Sequence, residues 1–266
     1  MLDREPVSPR PDDNGTNEAV EGAEAKGKPV EANYKNHVWQ VDLTVVPTSG
    51  FWVPWLPFAL PQAWPFCWWV ACVIDQHSRR VMGFTVFAKQ PTSNEVRSFL
   101  GRAISRNDSS PRYIISDLGS QFDCPGYRAW CERKDIIPRY ASKASIRATA
   151  IIERFFLSLK NEMLRRVAIP FRRDGLRRQM TNYLGWYHEF RPHQSLGGRT
   201  PHEVYEGKKP ANERVRFEPR PCWPVDSPCA RPVVRPKKGG VGELTLAVTF
   251  VADNENLPIV RLKRAA

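Results

Sequence analysis

Three carboxylates lie in apolar segments of this sequence, where an acidic side chain is costly unless it has a partner or a task. Asp42 lies within HVWQVDLTVV, Asp117 follows the apolar run RYIIS, and Glu153 lies within TAIIERFFLSLK. In α/β folds, sites gather beyond the carboxyl ends of strands, so Asp42 and Asp117 can meet if their strands are neighbours. Three converging carboxylates repel one another unless a cation neutralises them. Hard oxygen ligands favour Mg²⁺ or Mn²⁺, so the pattern indicates a divalent-metal site.

Each acid taken alone also has an ordinary explanation, which is exposure to solvent or a salt bridge. Asp75 is an example, because it ends an apolar strand but opens the segment DQHSRR. There an Asx-turn or a pairing with Arg79 accounts for it, and we leave Asp75 out of the candidate site. His193 in RPHQSLGGRTP is likewise interpreted as a packing or hydrogen-bonded histidine rather than a catalytic one.

The elements that must position these acids follow from the periodicity of the sequence. HVWQVDLTVV alternates as a strand with two different faces, with Asp42 on the face of Gln40 and Thr44. FCWWVACVI and VMGFTVFA predict an antiparallel hairpin, and SNEVRSFLGRAISRN predicts a helix capped by Ser93 or Asn94. RYIIS and IIPRY are further strands around the short helix GYRAWCERKD. This order predicts a mixed sheet with helices on its faces.

The second half of the chain is predicted to be helical before it becomes rich in proline. Helices are expected from about 147 to 167 and from about 174 to 190, and TPHEV has the spacing of a capping box with proline in the first turn. Seven prolines between 210 and 236 predict an extended linker. ELTLAVTFV and LPIVRLKRA predict a terminal hairpin, which is expected to dock because a lone hairpin is marginally stable.

Charge and composition restrict the possible partners. Lys and Arg number 40 against 28 Asp and Glu, a net charge of +12. This excess favours binding to a polyanion, such as nucleic acid or an anionic membrane, over the alternative of a basic soluble protein without such a partner.

Residues 44–74 carry no charge, but five prolines among them argue against a membrane helix. A polar, acidic start argues against a signal peptide. Six cysteines without a C-x-x-C pair argue against a zinc knuckle and are expected to be reduced thiols.

These motifs also carry a family resemblance. WQVDLT, IISDLGSQF and AIIERFFLSLK, with thirty-five residues between Asp117 and Glu153, resemble the DDE catalytic core of retroviral-type integrases and bacterial insertion-sequence transposases. WYHEFRPHQSLGGRTPHEVY is similar to the segment that closes this core in the insertion-sequence enzymes. The resemblance covers about 37–206. It implies an α/β, RNase H-like mixed five-stranded sheet flanked by helices, with Asp42, Asp117 and Glu153 as the catalytic residues that bind two Mg²⁺ or Mn²⁺ ions.

The resulting domain plan has four parts. Residues 1–36, rich in Pro, Gly and acids, predict a disordered tail; 37–208 form the catalytic core; 209–240 are the Pro-rich linker; and 241–266 are the small C-terminal β-hairpin. The sequence departs from the family pattern at Leu118, at Arg147-Ala148 before the glutamate, and at His188. These departures concern the tuning of activity and the contacts with substrate more than the triad itself.

Several basic residues are expected to contact DNA. Lys160 lies seven residues after Glu153, which at about 100° per residue returns it to the same helical direction. Its position also matches a DNA-contacting lysine in the family. Lys143, Arg147 and Arg154 are further candidates, and the segment 154–178 is strongly basic throughout. Five of the nine tryptophans fall between 52 and 69, where packing in the core or between protomers is favoured over stacking on bases.

The resemblance implies DNA cleavage followed by strand transfer, with element ends and target DNA as partners and a homo-oligomer assembled on the DNA. Residues 1–36 are not expected to form the helix-turn-helix region that usually precedes this core, so either a separate helix-turn-helix polypeptide supplies it as a further partner or this chain is a fragment. The expected location is the cytoplasm of a bacterium, on the nucleoid when bound. Two alternatives stay open: a truncated or inactive transposase that only binds and assembles DNA, and a hydrolysing RNase H-like nuclease.

Overall fold

Five strands form one mixed sheet in the computed structural model, which describes residues 30–48, 62–141, 149–209 and 244–264. In chain order the strands are β1 (Val38–Pro47), β2 (Cys67–Asp75), β3 (Val81–Phe87), β4 (Tyr113–Ser116) and β5 (Ile137–Tyr140). In space the order is β3-β2-β1-β4-β5. The first three strands are antiparallel neighbours, whereas β4 and β5 run parallel to β1. The predicted mixed five-stranded sheet is therefore confirmed.

Helices cover both faces of this sheet, as the sequence predicted. They are α1 (Ser93–Asn107), α2 (Pro125–Arg133), α3 (Ala150–Leu159), α4 (Arg173–Glu189) and α5 (Pro201–Tyr205). Alternate residues of β1 face opposite layers. Trp39 and Val41 pack with α1 and α2, whereas Val46 packs with α3 and α4. Asp42 has the parity of Val46, so its side chain lies on the face that α3 covers.

Two helix ends differ from the sequence-based expectation. The cap of α1 is Thr92 rather than Ser93 or Asn94, because Thr92 and Glu95 form a reciprocal capping box. The helix expected from about 147 to 167 is shorter in its described part: α3 ends at Leu159 and continues as a π-helical turn, Lys160–Leu164. The capping box predicted for TPHEV is present, formed by Thr200 and Glu203.

The C-terminal hairpin docks on the core. Strands β6 (Leu244–Val251) and β7 (Asn254–Arg264) pair with each other in a separate two-stranded sheet. Leu257 is 1% exposed and belongs to the core beneath α3 and α4. The indole N–H of Trp186 donates a hydrogen bond of 2.8 Å to the Pro258 carbonyl. These contacts supply the partner that an isolated hairpin needs.

The remaining predicted segments are partly described. Residues 1–29 of the predicted tail, and 210–243, which include most of the predicted linker, lie outside the described residues. Residues 30–36 are described, and Asn36 contacts the core through hydrogen bonds to Asp75 and Tyr205. Among the tryptophans, Trp68 is buried in the core and Trp64 is 52% exposed, while Trp52 and Trp55 lie outside the described residues. Within the described ranges, no helix is long and apolar enough to cross a membrane.

Candidate active site

Asp42 projects from the middle of β1 toward the α3 layer, where it is half-buried. Its Oδ1 accepts a hydrogen bond of 2.7 Å from the backbone N–H of Leu43. Burial raises the pKa of Asp42 to about 6, the hydrogen bond from Leu43 opposes this change, and the nearby carboxylates of Asp117 and Glu153 raise the pKa further. A half-buried acid with like charges beside it is costly in its ionised form. This carboxylate is therefore suited to a cation.

Asp117 stands immediately after β4, at the carboxyl end of the strand that runs parallel to β1. Its side chain is exposed, and Oδ1 accepts a hydrogen bond of 3.2 Å from the backbone N–H of Gly119. Gly119 is required for space rather than for an unusual backbone angle. A Cβ there would lie 2.6 Å from Nε2 of Gln121 and 3.1 Å from Oδ1 of Asp117. The glycine thus leaves room for the buried amide of Gln121 beside the loop that carries Asp117.

Glu153 lies in the first turn of α3, on the exposed side of that helix. Its Oε1 accepts a hydrogen bond of 2.6 Å from the hydroxyl of Thr149. The start of the helix is fixed to the central strand by Gln40, whose Oε1 accepts a hydrogen bond of 3.0 Å from the backbone N–H of Ile152. Gln40 is fully buried and lies two residues before Asp42 on the same face. One side chain of β1 therefore sets the distance between β1 and the helix that carries Glu153.

Lys160 is half-buried at the end of α3. Burial lowers the pKa of its ammonium, with a smaller lowering from Arg165, and the charge of Asp42 opposes both. The same attraction lowers the pKa of Asp42. Lys160 therefore lies within electrostatic range of Asp42. This is the side of the helix expected from its position seven residues after Glu153.

Electrostatically, the structure brings together Asp42, Asp117, Glu153 and Lys160. It does not close the carboxylates into one coordination sphere, because no group of three His, Cys, Asp or Glu side chains in the described ranges is arranged to hold a metal ion. The donor chemistry nevertheless fits a divalent cation. The oxygens are hard ligands, and the mutual repulsion that raises the pKa of Asp42 is what a bound cation would relieve.

The other predicted site residues are placed as follows. Arg154 is exposed on α3, while Lys143 and Arg147 lie outside the described residues. Asp75 is a turn residue, as expected: Oδ2 accepts hydrogen bonds from the backbone N–H and hydroxyl of Ser78. His193 packs its ring edge-on against Tyr187 at 4.7 Å, which supports its interpretation as a packing residue.

One departure from the family pattern has a structural explanation. Nε2 of His188 accepts a hydrogen bond of 3.0 Å from the backbone N–H of Val81, the first residue of β3. Burial of the imidazole lowers the pKa of His188 to about 3, so the ring is neutral and can act as this acceptor. His188 therefore ties α4 to an edge strand of the sheet rather than taking part in the site.

Sequence reasoning missed three residues in the surroundings of the acids. Gln40 holds the start of α3, Thr149 holds Glu153, and Gln121 lies against Gly119. Gln40 gave no signal of its contact in the sequence, because a polar residue that alternates with Trp39 and Val41 in a strand is typical of an exposed face. The contacts of Thr149 and Gln121 depend on loop geometry that residue types do not specify.

The sheet order and the two helical layers, with Asp42 on the central strand, Asp117 after β4 and Glu153 on α3, define an RNase H-like fold of the integrase-core type. Two family models, both described as "Integrase core domain", match residues 32–145 and 136–201. The chain therefore carries the integrase core of the DDE integrase and transposase family.

Similar proteins agree with this assignment. The transposase InsF for insertion sequence IS3A of Escherichia coli is 28% identical over 180 residues, which are 66% of this chain and 56% of that protein. An uncharacterised protein of insertion element IS136 of Agrobacterium fabrum is 25% identical over 145 residues, 52% of this chain and 74% of that one. The chain thus spans just over half the length of the InsF relatives. A simian T-cell lymphotropic virus intasome chain, solved in complex with PP2A regulatory subunit B56 gamma, shares the fold at a TM-score of 0.53 and 15% identity, over 93% of this chain and 74% of that one.

Proposed function

We propose that this chain is the catalytic part of a DNA transposase or integrase, with Asp42, Asp117 and Glu153 as its acidic triad. The observation that carries the proposal is that the charges of Asp117, Glu153 and Lys160 all act on the carboxylate of Asp42, in a chain with an integrase core. The expected reaction is cleavage of a phosphodiester by water, followed by attack of the freed 3′-OH on target DNA. The substrates are the element ends and the target DNA, and the protein acts as a homo-oligomer on them.

A divalent metal is typical of the integrase core family. We propose that Asp42, Asp117 and Glu153 would hold two Mg²⁺ or Mn²⁺ ions. When bound, such a pair activates the attacking oxygen and stabilises the leaving oxygen. For Glu153 to serve as a ligand, its carboxylate must leave the hydroxyl of Thr149, to which it is hydrogen-bonded at 2.6 Å. Asp42 must lose its proton, which the attraction of Lys160 favours.

The basic residues around the triad would bind the DNA backbone. The charge of Lys160 acts on Asp42, and Arg154 is exposed one residue after Glu153. Six further arginines between 165 and 178 are exposed, although Arg173 and Arg177 line a pocket with residues of β3 and α1 rather than the triad: Arg165, Arg166, Arg172, Arg173, Arg177 and Arg178. Lys143 and Arg147 remain proposed contacts on sequence grounds. Contacts of this kind hold phosphates without reading base sequence, so they should weaken steeply with salt.

The test is incubation of the purified chain with labelled duplex oligonucleotides and Mn²⁺, with wild type compared to Asp117→Asn. The matched control is Asp123→Asn, an exposed carboxylate of the same loop that pairs with Arg128. Joined products that disappear in Asp117→Asn and persist in Asp123→Asn support the proposal. Shortened strands without joining would instead indicate a hydrolysing nuclease. Binding without cleavage would indicate an inactive transposase that only assembles on DNA.

A further inference from the structure

Beside the candidate site the chain leaves regular α-helical geometry. The helix α3 ends at Leu159, and the five residues Lys160–Leu164 form a π-helical turn. The backbone N–H of Arg165 donates to the carbonyl of Lys160, five residues back, at 3.0 Å. Such wide turns are rare and are frequently found at functional sites. Lys160, the proposed phosphate ligand, is the first residue of this turn.

The turn is held by a charge pair with the segment that follows α4. Glu162, in the middle of the turn, accepts hydrogen bonds from Nη2 of Arg191 at 2.7 Å and from its Nε at 3.1 Å. The hydroxyl of Tyr183, on α4, donates to Oε2 of Glu162 at 2.9 Å. One carboxylate of the turn is therefore bound by two other parts of the chain.

The ion pair of Arg191 and Glu162 is largely buried, so it depends on the exact partner. The side chain of Arg191 is 5% exposed and that of Glu162 is 18% exposed. A charge so far from water must keep its partner, because an uncompensated buried charge is strongly destabilising. The planar guanidinium supplies two donors in a fixed geometry, which the point charge of a lysine cannot reproduce. The backbone of Arg191 is itself fixed, since its N–H donates to the Trp186 carbonyl at 3.0 Å.

We propose that Arg191 is a positioning residue for Lys160. By binding Glu162 it fixes the π-helical turn, and the fixed turn holds the Lys160 ammonium beside Asp42, where it receives a DNA phosphate. Arg191 is the first residue of the segment RPHQSLGGRTP. The proposal gives this segment a role in the site without direct contact with the reacting groups. The inference rests on the proposed function, because it assumes that Lys160 binds the substrate backbone.

The test is a double-mutant cycle on DNA affinity, measured in EDTA with the full chain and a labelled duplex oligonucleotide. Arg191→Lys keeps the charge but loses the bidentate contact, and it should weaken binding by roughly tenfold, the loss of one well-placed charged contact. Lys160→Met should weaken binding to a similar extent. In the Lys160→Met background, Arg191→Lys should add little, because residues that act through one another are not additive. Additive losses, or wild-type affinity in Lys160→Met, would overturn the inference.

A second variant and a control separate positioning from general stability. Tyr183→Phe removes one hydrogen bond from Glu162 without leaving a charge unpaired, and it tests the inference if Arg191→Lys does not fold. It should weaken binding by a smaller factor, again only when Lys160 is present. Thr200→Ala removes the buried cap of α5 and lowers stability at a place that no described contact joins to Lys160. Its DNA affinity should equal that of wild type, and a matching loss would refute the positioning role.

Failure of this inference can be distinguished from failure of the proposed function. The double-mutant cycle measures DNA binding without metal or reaction, whereas the proposed function is tested by the joining of DNA strands in Mn²⁺. If wild type joins strands but the two substitutions are additive in binding, only the positioning role is wrong. If the substitutions are coupled in binding but no cleavage or joining occurs, the positioning role stands and the proposed catalytic function fails.

Discussion

At the scale of single residues, the charge of Asp42 opposes folding of the metal-free protein. Burial first, and then repulsion from Asp117 and Glu153, raise its pKa from 3.8 to about 6. The folded state thus binds this proton more tightly than the unfolded chain does. The resulting stabilisation is fully present below about pH 4 and is lost as the pH rises through 6.

Asp42→Asn should therefore raise the free energy of unfolding of the metal-free protein at pH 7.5. The expected gain is on the order of 1–2 kcal/mol, less than the full pKa difference implies because the side chain is partly exposed. At pH 4 the gain should vanish. Urea unfolding in EDTA at pH 7.5 and pH 4 measures this difference in the free energy of unfolding. The substitution Asp123→Asn, at an exposed acid, is the control. Mn²⁺ should stabilise wild type but not Asp42→Asn. A variant less stable than wild type at pH 7.5 would contradict this account.

Gln40 permits a second prediction at this scale, because it links the central strand to the helix of Glu153. Gln40→Leu leaves the backbone N–H of Ile152 without its acceptor and should cost about 1–3 kcal/mol of stability. Cleavage at saturating Mn²⁺ should also fall, since the start of α3 is no longer tied to β1. Thr44→Val is the control, as a buried residue on the same face of β1. Unchanged cleavage in folded Gln40→Leu would show that Gln40 serves stability alone.

At the scale of elements, the loop between β4 and α2 depends on the space that Gly119 leaves. In Gly119→Ala the new Cβ would meet the amide of Gln121, which is 7% exposed and has little room to move. Either the buried Gln121 side chain or the loop that carries Asp117 must then shift. The Mn²⁺ concentration at half-maximal cleavage should rise by roughly tenfold, as for other residues that orient a metal ligand.

Gly101→Ala is a matched control for that substitution, because a Cβ at Gly101 meets nothing within 4 Å. Gly101 lies inside α1, so alanine should stabilise the protein by about 0.5–1 kcal/mol and leave the Mn²⁺ dependence unchanged. Equal effects of the two substitutions on metal dependence would rule out the close approach at Gly119 as the cause.

How far the sequence predicts these elements depends on the range of the interactions that fix them. Alternation in HVWQVDLTVV and the apolar stripe of AIIERFFLSLK are local, and they correctly predicted β1 and α3. The π-helical turn after Leu159 was not predicted, because it depends on a contact between Glu162 and Arg191, 29 residues apart. The cap at Thr92 was missed although its partner Glu95 follows at the spacing of a capping box.

At the scale of the whole molecule, the two faces of the sheet divide the protein's tasks. The layer of α1 and α2 packs on Trp39 and Val41, while the opposite layer carries Glu153 and Lys160 beside Asp42. The hairpin of β6 and β7 docks on α4 within this second layer. A DNA duplex bound at the carboxylates would therefore meet the arginines that follow Glu153 rather than those of α2.

This asymmetry gives a prediction for the salt dependence of DNA binding. Each phosphate contact that is lost should reduce the slope of log affinity against log salt by about 0.9. Arg154→Ala and Lys160→Ala should each reduce it by about that amount. Arg133→Ala, at a residue that is exposed like Arg154 but lies in the last turn of α2 on the other face, should leave the slope unchanged. Fluorescence anisotropy with one duplex between 50 and 200 mM salt measures all four proteins, a range over which such contacts matter strongly. If Arg133→Ala reduced the slope as much as the other two, binding would follow total charge, and the face of α3 would have no special role in holding DNA.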